Sequence, residues 1–328
     1  MTSRPLYAIS AIFFLSTVSA QTSASCDGKP FPLPSTEQFT QRGYVLSDNT
    51  LVLWARSSVN VDGMKRAYHK DNIDGGGLIN LCNGGRPYPV GEAPYSGTRP
   101  KTNCSRFNKD YKVIRAAGWK SEQVGAIKWF GVLGKDTATI TGKDPKTGAA
   151  KMYNVPQVVP VEQADGSGFF VSPTHLEDYI NYPDPKDQHR YLDAETVPFA
   201  VTPSTPEVRR IGVKKGTFGI AYNRISGKAV PFIVGDSNSV IGESSFAMGR
   251  ELRGLPMKKA TRANIYEGHI DTPDVLWVFF SDKQGVAQPP YTSDSVRAAA
   301  KSAYVRWGDK DRLDKCIRNT SIPVNSRH

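Results

Sequence analysis

Residues 231–245 have the sequence PFIVGDSNSVIGESS, which places two acidic residues beside glycines at the end of an apolar run. Residues 229–234 are mostly apolar and predict a buried strand, whereas residues 246–252 carry apolar side chains at helical spacing. Gly235 and Gly242 bracket the turn between these two elements. The stretch therefore predicts a junction of strand, loop and helix.

Asp236 and Glu243 are the two acids of this junction. We expect Asp236 at the end of the strand and Glu243 in the first turn of the helix. Connecting segments run over the protein surface, where a rigid scaffold can hold polar side chains ready for binding or catalysis. The two residues are therefore candidate catalytic carboxyls. In the alternative interpretation, Asp236 only forms a turn and Glu243 only complements the helix dipole.

The first 20 residues have the pattern of a secretory signal peptide. Arg4 lies in a short first segment, residues 6–15 form an apolar core, and residues 18–20 are a small-residue cleavage site. No later apolar run approaches the roughly 18 residues that a membrane span requires. We therefore predict a secreted, extracellular protein without a membrane span. Its predicted organisation is a signal peptide at 1–20, an exposed lead-in at 21–41, a single catalytic domain at 42–318 and a C-terminal tail at 319–328.

The chain after the signal contains four cysteines, Cys26, Cys82, Cys104 and Cys316. An even number of cysteines in an oxidising destination predicts two disulfide bonds. Four cysteines can form two disulfide bonds in three different pairings. We favour Cys82–Cys104, which closes a loop around a Gly/Pro-rich segment, together with Cys26–Cys316, which joins the two ends of the chain. The spacing is unlike that of a zinc site, and we expect no metal and no cofactor.

The chain is basic, with a formal net charge of +11. Removal of residues 1–20, whose one charged side chain is Arg4, leaves +10. This surplus favours anionic surroundings. No motif of interleaved basic and aromatic residues is present, so we expect no nucleic-acid partner. The predicted partner is a polysaccharide, bound by a monomer.

Short strand patterns dominate the middle of the chain and predict a β-rich α+β fold, with a small β-barrel-like core and peripheral helices. We also expect a hairpin within residues 43–57, a short helix at 175–180, and a longer helix at 295–307 capped by Asp294. The predicted short strands are 126–133, 137–140, 151–155, 168–171 and 196–201.

At the acidic junction the chain resembles the chitosanases of glycoside hydrolase family 75. The pattern is an apolar strand, the pair Gly235-Asp236, a short loop and then Gly-Glu-x-Ser at 242–245. The resemblance extends over about residues 45–255, with supporting similarities at 61–63, 168–174, 191–194 and 197–201.

The resemblance implies an enzyme that cleaves β-1,4-linked glucosamine polymers with inversion, using an Asp and a Glu that fall on Asp236 and Glu243. Hydrolysis of a glycosidic bond needs one carboxylic acid to protonate the leaving oxygen and one carboxylate as base or nucleophile. On that basis Glu243 is expected to be the general acid and Asp236 the base, although the two roles are interchangeable at this point.

Further residues are candidates for substrate binding. Asp62 and Asp74 are expected to bind glucosamine ammonium groups, and their alternative interpretation is as turn-forming aspartates beside glycine. Large aromatic side chains can stack on sugar rings or fill a core. The aromatic candidates are Trp54, Tyr68, Trp119, Trp129 and Tyr266.

The leading hypothesis is therefore a secreted, endo-acting chitosan hydrolase with Asp236 and Glu243 as its catalytic pair. Because chitosan is a polycation and the chain is basic, a hydrolase of another wall polysaccharide is one alternative. The other alternative is a secreted wall-binding protein without catalytic activity. A serine hydrolase is disfavoured, since no Gly-x-Ser-x-Gly motif is present.

Overall fold

The computed structural model describes residues 25–34 and 41–322, so the predicted signal peptide lies outside the described residues. The strands are β1 (Lys29–Pro32), β2 (Arg42–Val45), β3 (Leu51–Asn60), β4 (Gly85–Tyr88), β5 (Ala126–Trp129), β6 (Gly134–Lys143), β7 (Ala150–Pro160), β8 (Phe199–Thr202), β9 (Phe218–Asn223), β10 (Lys228–Ser237), β11 (Glu243–Ser245) and β12 (Ile270–Phe279). The α-helices are α1 (Asn103–Ala116), α2 (Pro206–Arg210), α3 (Phe246–Leu252), α4 (Ser293–Trp307) and α5 (Asp309–Asn319).

Six strands close into a barrel in the order β3, β11, β8, β10, β9 and β12. β3 pairs in parallel with β11 and antiparallel with β12, so the sheet meets itself at β3. β8 and β10 also run parallel, whereas β9 is antiparallel to both of its neighbours. This β-rich α+β architecture, with helices around a small barrel, confirms the predicted fold class.

The barrel strands are buried on both faces, and their sequences are accordingly apolar at consecutive positions. Phe232, Trp277 and Phe279 pack together with ring centroids 5.2 to 5.9 Å apart. The neighbouring residues Ile233 and Val278 belong to a second apolar cluster, which includes side chains of α1, α4 and α5. Successive side chains of a strand point to opposite faces, so a strand covered on both sides is apolar at consecutive positions.

Some of the local predictions were confirmed and others were wrong. The strands within 126–160 exist, but they form two-stranded sheets outside the barrel, β4 with β5 and β6 with β7. Residues 168–171 form only isolated bridges, and 175–180 contains no helix. The reason for the missing helix is that Leu176 N donates to the carbonyl of Gly235 over 2.8 Å, which ties this segment to β10.

Three helices, α1, α2 and α5, were absent from the predictions, and α4 begins at Ser293 rather than 295. The hydroxyl of Thr292 accepts a backbone N–H of the first turn of α4, so Thr292 and not Asp294 is the cap. The buried face of α5 includes Arg312, which forms an ion pair of 2.7 Å with Asp48. Because the charged Arg312 is buried together with Leu313 and Cys316, hydropathy alone does not reveal the buried face of this helix.

Both favoured disulfide bonds are present. Cys26 is bonded to Cys316, with Cα atoms 5.0 Å apart, and Cys82 is bonded to Cys104, with Cα atoms 5.4 Å apart. The first bond joins residues 290 positions apart, and the second closes a loop of 22. The two ends of the described chain are therefore covalently linked.

The predicted domain boundaries need correction at both ends. The lead-in is not wholly exposed, since β1 pairs with β2 and Leu33 is buried. At the other end α5 extends to Asn319, and Trp54 Nε1 donates to the Thr320 hydroxyl over 2.9 Å. Residues 319 and 320 therefore belong to the fold rather than to a tail. Within the described part of the chain, no helix has the length and apolar character to cross a bilayer.

We expect loss of the long-range disulfide to destabilise the fold. Replacing both Cys26 and Cys316 with Ser should lower the free energy of unfolding by about 2–5 kcal/mol, because the unfolded chain regains entropy. Replacing Cys82 and Cys104 is the matched control, and its smaller loop should cost about 2 kcal/mol less. Urea unfolding followed by tryptophan fluorescence measures both. A larger loss from the Cys82 and Cys104 change would contradict this expectation.

Candidate active site

Asp236 lies one residue before the end of β10, where that strand runs beside β8. The register between the two strands shifts between Val234 and Asp236, so the strand is irregular at Gly235. A Cβ atom at Gly235 would lie 2.5 Å from a methyl of Leu192 and 2.8 Å from Phe199. Glycine at this position lets β10 approach its neighbours closely and presents Asp236 at the surface of the barrel.

Glu243 is the first residue of β11 and not part of a helix, which corrects the sequence prediction. Its strand pairs in parallel with β3, placing Glu243 opposite Ser58 and Ser245 opposite Asn60. The helix begins only at Phe246, with the Ser245 hydroxyl accepting a backbone N–H of the first turn. The dipole of α3 therefore does not explain the presence of an acid at position 243.

Asn60 lies beside both acids. Its Nδ2 donates to Glu243 Oε2 over 3.3 Å, and its amide is near enough to Asp236 to favour the ionised form of that carboxyl. Glu243 in turn lies close enough to Asp236 for its charge to raise the pKa of Asp236. The other oxygen of Glu243 accepts from Asn238 Nδ2 over 2.7 Å. The geometry therefore brings the two predicted catalytic residues together.

Asp62 is a third carboxyl of the cluster. Its backbone N–H donates to Asn60 Oδ1 over 2.7 Å, and the hydroxyls of Tyr68 and Ser172 each lie 3.5 Å from its Oδ1. The next residue, Gly63, has a φ of +89°, and a Cβ there would lie 1.7 Å from the carbonyl of Leu192. This close approach requires glycine and fixes the turn that holds Asp62.

Burial raises the pKa of all three carboxyls. For Asp236 the pKa rises to about 6, because burial and the nearby Glu243 disfavour the charged form. For Asp62 the pKa lies well above its usual range, first through burial and then through Asp236 and Glu243. The pKa of Glu243 is also raised by burial, and hydrogen bonds from Asn60 and Asn238 oppose the rise. The cluster therefore retains protons at a pH where exposed carboxyls have lost them.

Two basic side chains lie near Glu243. Arg56 and His269 both favour the ionised form of Glu243. On the other side, the backbone N–H of His175 donates to Asp236 Oδ1 over 3.0 Å. The two acids therefore have different neighbours, since a guanidinium and an imidazole lower the pKa of Glu243, whereas the backbone N–H groups of Ser237 and His175 lower that of Asp236.

Asp74 does not join the cluster. It lies exposed in the 3-10 turn Asn72–Gly75, and its side chain makes no contact with the three carboxyls within the described ranges. Among the aromatic candidates, Trp54 and Trp129 are buried in the core, as is Tyr68. Tyr266 is 52% exposed, and its phenol lies near enough to raise the pKa of Tyr68. Tyr266 is therefore the aromatic candidate available to a ligand beside the cluster.

The sequence prediction missed Asn60, Asn238, Arg56 and His269. Asn238 lies in the decisive stretch itself, so its amide was visible beside the acids but was assigned no role. Asn60 stands two residues before Asp62, and only the pairing of β3 with β11 reveals its contact with Glu243. No local signal links residues so distant in the chain.

The cluster can perform acid–base chemistry. One group of the pair can supply a proton while the other accepts one, because their surroundings shift the two carboxyls differently. No group of three or more His, Cys, Asp or Glu side chains in the described ranges is arranged to hold a metal ion.

Comparison with protein-family models and with curated proteins gave no match to this chain. The family resemblance therefore rests on the motifs quoted above.

We expect Asp236→Asn to stabilise the fold at alkaline pH. The folded-state pKa of about 6 exceeds the ordinary 3.8, so the unfolded chain loses this proton first and stability falls as pH rises from about 4 to about 6. Asparagine does not ionise, so the variant does not lose this stability as pH rises. The variant should be more stable by about 1–3 kcal/mol at pH 8 and unchanged at pH 3.

Urea unfolding across pH 3–8 measures this difference, with Asp74→Asn as the matched control for an exposed carboxyl. Lower stability of Asp236→Asn than of the parent protein at pH 8 would show that Asp236 is not a desolvated acid.

Proposed function

We propose that this protein hydrolyses glycosidic bonds of a polysaccharide, with Asp236 and Glu243 as its two catalytic carboxyls. The observation that carries the proposal is the proximity of the two acids, which are partly exposed, have raised pKa values and share Asn60 as a neighbour at one edge of the barrel. Glycoside hydrolysis needs two such groups, one protonated and one ionised. The resemblance to family 75 chitosanases at the same two residues supports this reaction and names chitosan as the first substrate to test.

The surroundings of the two acids favour Asp236 as the general acid and Glu243 as the base. Glu243 accepts two amide N–H groups and lies near Arg56, all of which stabilise a carboxylate. Asp236 has a pKa of about 6 and can hold a proton under mildly acidic conditions. In this assignment Asp236 protonates the glycosidic oxygen while Glu243 removes a proton from the attacking water. The assignment reverses the one first inferred from the resemblance.

Asp62 keeps a proton near the reacting pair. It contacts Tyr68 and Ser172, and its pKa is well above its usual range, first through burial and then through the charges of Asp236 and Glu243. Tyr266 supplies an exposed aromatic ring near the same cluster, a surface of the kind on which sugar rings stack.

Secretion is part of the proposal. Two disulfide bonds within the described chain are typical of proteins that work in oxidising, extracellular surroundings. A polysaccharide of a cell wall is a substrate found in such surroundings.

Glu243→Gln and Asp236→Asn should each reduce hydrolysis at least about 100-fold, as removal of a general acid or base does. The measurement is release of reducing ends from chitosan, chitin, carboxymethylcellulose and peptidoglycan by the purified protein. Asp74→Asn, an exposed carboxyl outside the cluster, is the matched control and should keep its rate.

Proton NMR of the first products tests the stereochemistry that the resemblance implies, since an inverting enzyme releases the opposite anomer. If the folded parent protein hydrolyses none of these polymers, the alternative of a wall-binding protein without catalytic activity is favoured.

The pH profile should be bell-shaped, with activity falling as pH rises through about 6, where Asp236 loses its proton. Asn238→Ala removes a donor to Glu243, which raises the pKa of Glu243 and should move the acidic limb to higher pH. Ser239→Ala is the matched control, because Ser239 is a neighbour that contacts Asn238 and not Glu243. An acidic limb that stays in place in Asn238→Ala would rule out Glu243 as the group that must be ionised.

A further inference from the structure

Basic side chains lie beside Asp236 at the edge of the catalytic cluster. Lys215 Nζ lies 3.5 Å from the carbonyl oxygen of His175, whose own N–H donates to Asp236 Oδ1 over 3.0 Å. Adding the width of one residue puts the Lys215 ammonium within roughly 10 Å of the Asp236 carboxyl. Arg209 lies close enough to act with Lys215 in lowering the pKa of His175, after burial itself. We call His175, Arg209 and Lys215 the basic rim.

The fold places the basic rim at this position through backbone pairing. Gly216 N donates to the carbonyl of Val234 over 2.9 Å, so the residue after Lys215 is bonded to β10 two residues before Asp236. Arg209 belongs to α2, which follows the end of β8, and β8 lies beside β10 at Asp236. Both cations therefore belong to segments that the barrel holds next to the reacting pair.

Acidic neighbours do not neutralise the basic rim. Glu177 faces His175 but forms an ion pair of 2.7 Å with Arg190, and Asp282 forms one of 2.7 Å with Lys214. Glu207 lies at the start of α2, exposed and near Arg209. Within the described chain, neither Lys215 nor Arg209 has an acidic partner within 4.0 Å.

Basic side chains also lie near Glu243. Arg56 lies near Glu243, and Arg99 lies near Arg56, with Asp271 as an acidic neighbour. A polymer that lies across Asp236 and Glu243 therefore has basic side chains near both acids. The net charge of the chain, +11, has the same sign.

We infer that the basic rim is an anion-binding subsite, and that the polysaccharide cleaved at Asp236 and Glu243 carries carboxylate rather than ammonium groups beside the cleaved bond. This inference rests on the proposed function for the identity of the reacting pair. An ammonium polymer such as chitosan would lose hydration next to like charges, whereas a carboxylate polymer gains charge-assisted hydrogen bonds there.

The test compares two polymers that share one backbone. Chitosan carries ammonium groups, and N-succinyl chitosan replaces them with carboxylates on the same β-1,4-glucosamine chain. Binding is measured by isothermal titration calorimetry with Glu243→Gln, so that hydrolysis does not interfere. We expect tighter binding of N-succinyl chitosan, weakening as salt rises, because screening acts over about 8–10 Å.

Adding Lys215→Glu, or separately Arg209→Glu, to that variant should weaken N-succinyl chitosan binding about fivefold, since each reverses one exposed charge. The matched control is Lys146→Glu, an exposed lysine in the turn between β6 and β7, which should leave binding unchanged. Unchanged melting temperatures verify that each variant is folded.

The outcomes separate this inference from the proposed function. Tighter binding of chitosan, no binding of either polymer, or indifference to both rim substitutions would overturn the anion-binding subsite. Hydrolysis by the parent protein is assayed in parallel on both polymers. Rim-dependent binding of N-succinyl chitosan without hydrolysis of it or of any other polymer would support the subsite and reject the hydrolase. Hydrolysis of chitosan that Lys215→Glu leaves unchanged would keep the hydrolase and reject the subsite.

Discussion

β3 pairs with β11 on one side and with β12 on the other, and this double pairing closes the barrel. The parallel register of β3 with β11 sets Glu243 opposite Ser58 and Ser245 opposite Asn60. Because strand side chains alternate between faces, a shift of one residue would turn Glu243 away from Asn60. Asn60 in turn lies near Asp236 and accepts a hydrogen bond from the backbone N–H of Asp62. The relative positions of all three acids therefore depend on one short pairing of strands.

This arrangement costs stability at the cluster of acids. Three carboxyls in a partly buried cluster repel one another as they ionise, and burial adds to that penalty. Amide donors and Arg56 offset part of it at Glu243. Burial of the apolar strands around the cluster, which are covered on both faces, offsets the rest of this penalty. Such an exchange of stability for a perturbed acid is a general property of catalytic sites.

The sequence predicted those parts of the protein that depend on short-range pattern. The strand before Asp236, the helix after Ser245 and the class of fold all follow from apolar spacing, and glycines marked the turns. The position of Glu243 in a strand did not follow, because only three residues form β11 and its partner is far away in the chain. Asn60 and Arg56 were missed for the same reason. Asp74 was predicted as a site residue but lies outside the cluster. An aspartate beside glycines has the same local sequence pattern whether or not it belongs to the site.

The hairpin of β6 and β7 lies outside the barrel and contributes to its own small core of Ala138, Ile140, Val155 and Val158, together with Ala126. Its tip, between Lys143 and Ala150, has mostly exposed residues. Within the tip, Asp144 Oδ1 accepts hydrogen bonds from the backbone N–H groups of Lys146 and Thr147. Exposed tips of this kind accept inserted sequence with little effect on the rest of a domain. The hairpin is therefore the natural attachment point for a second module, such as a reporter or a surface anchor, that leaves both chain ends and the barrel undisturbed.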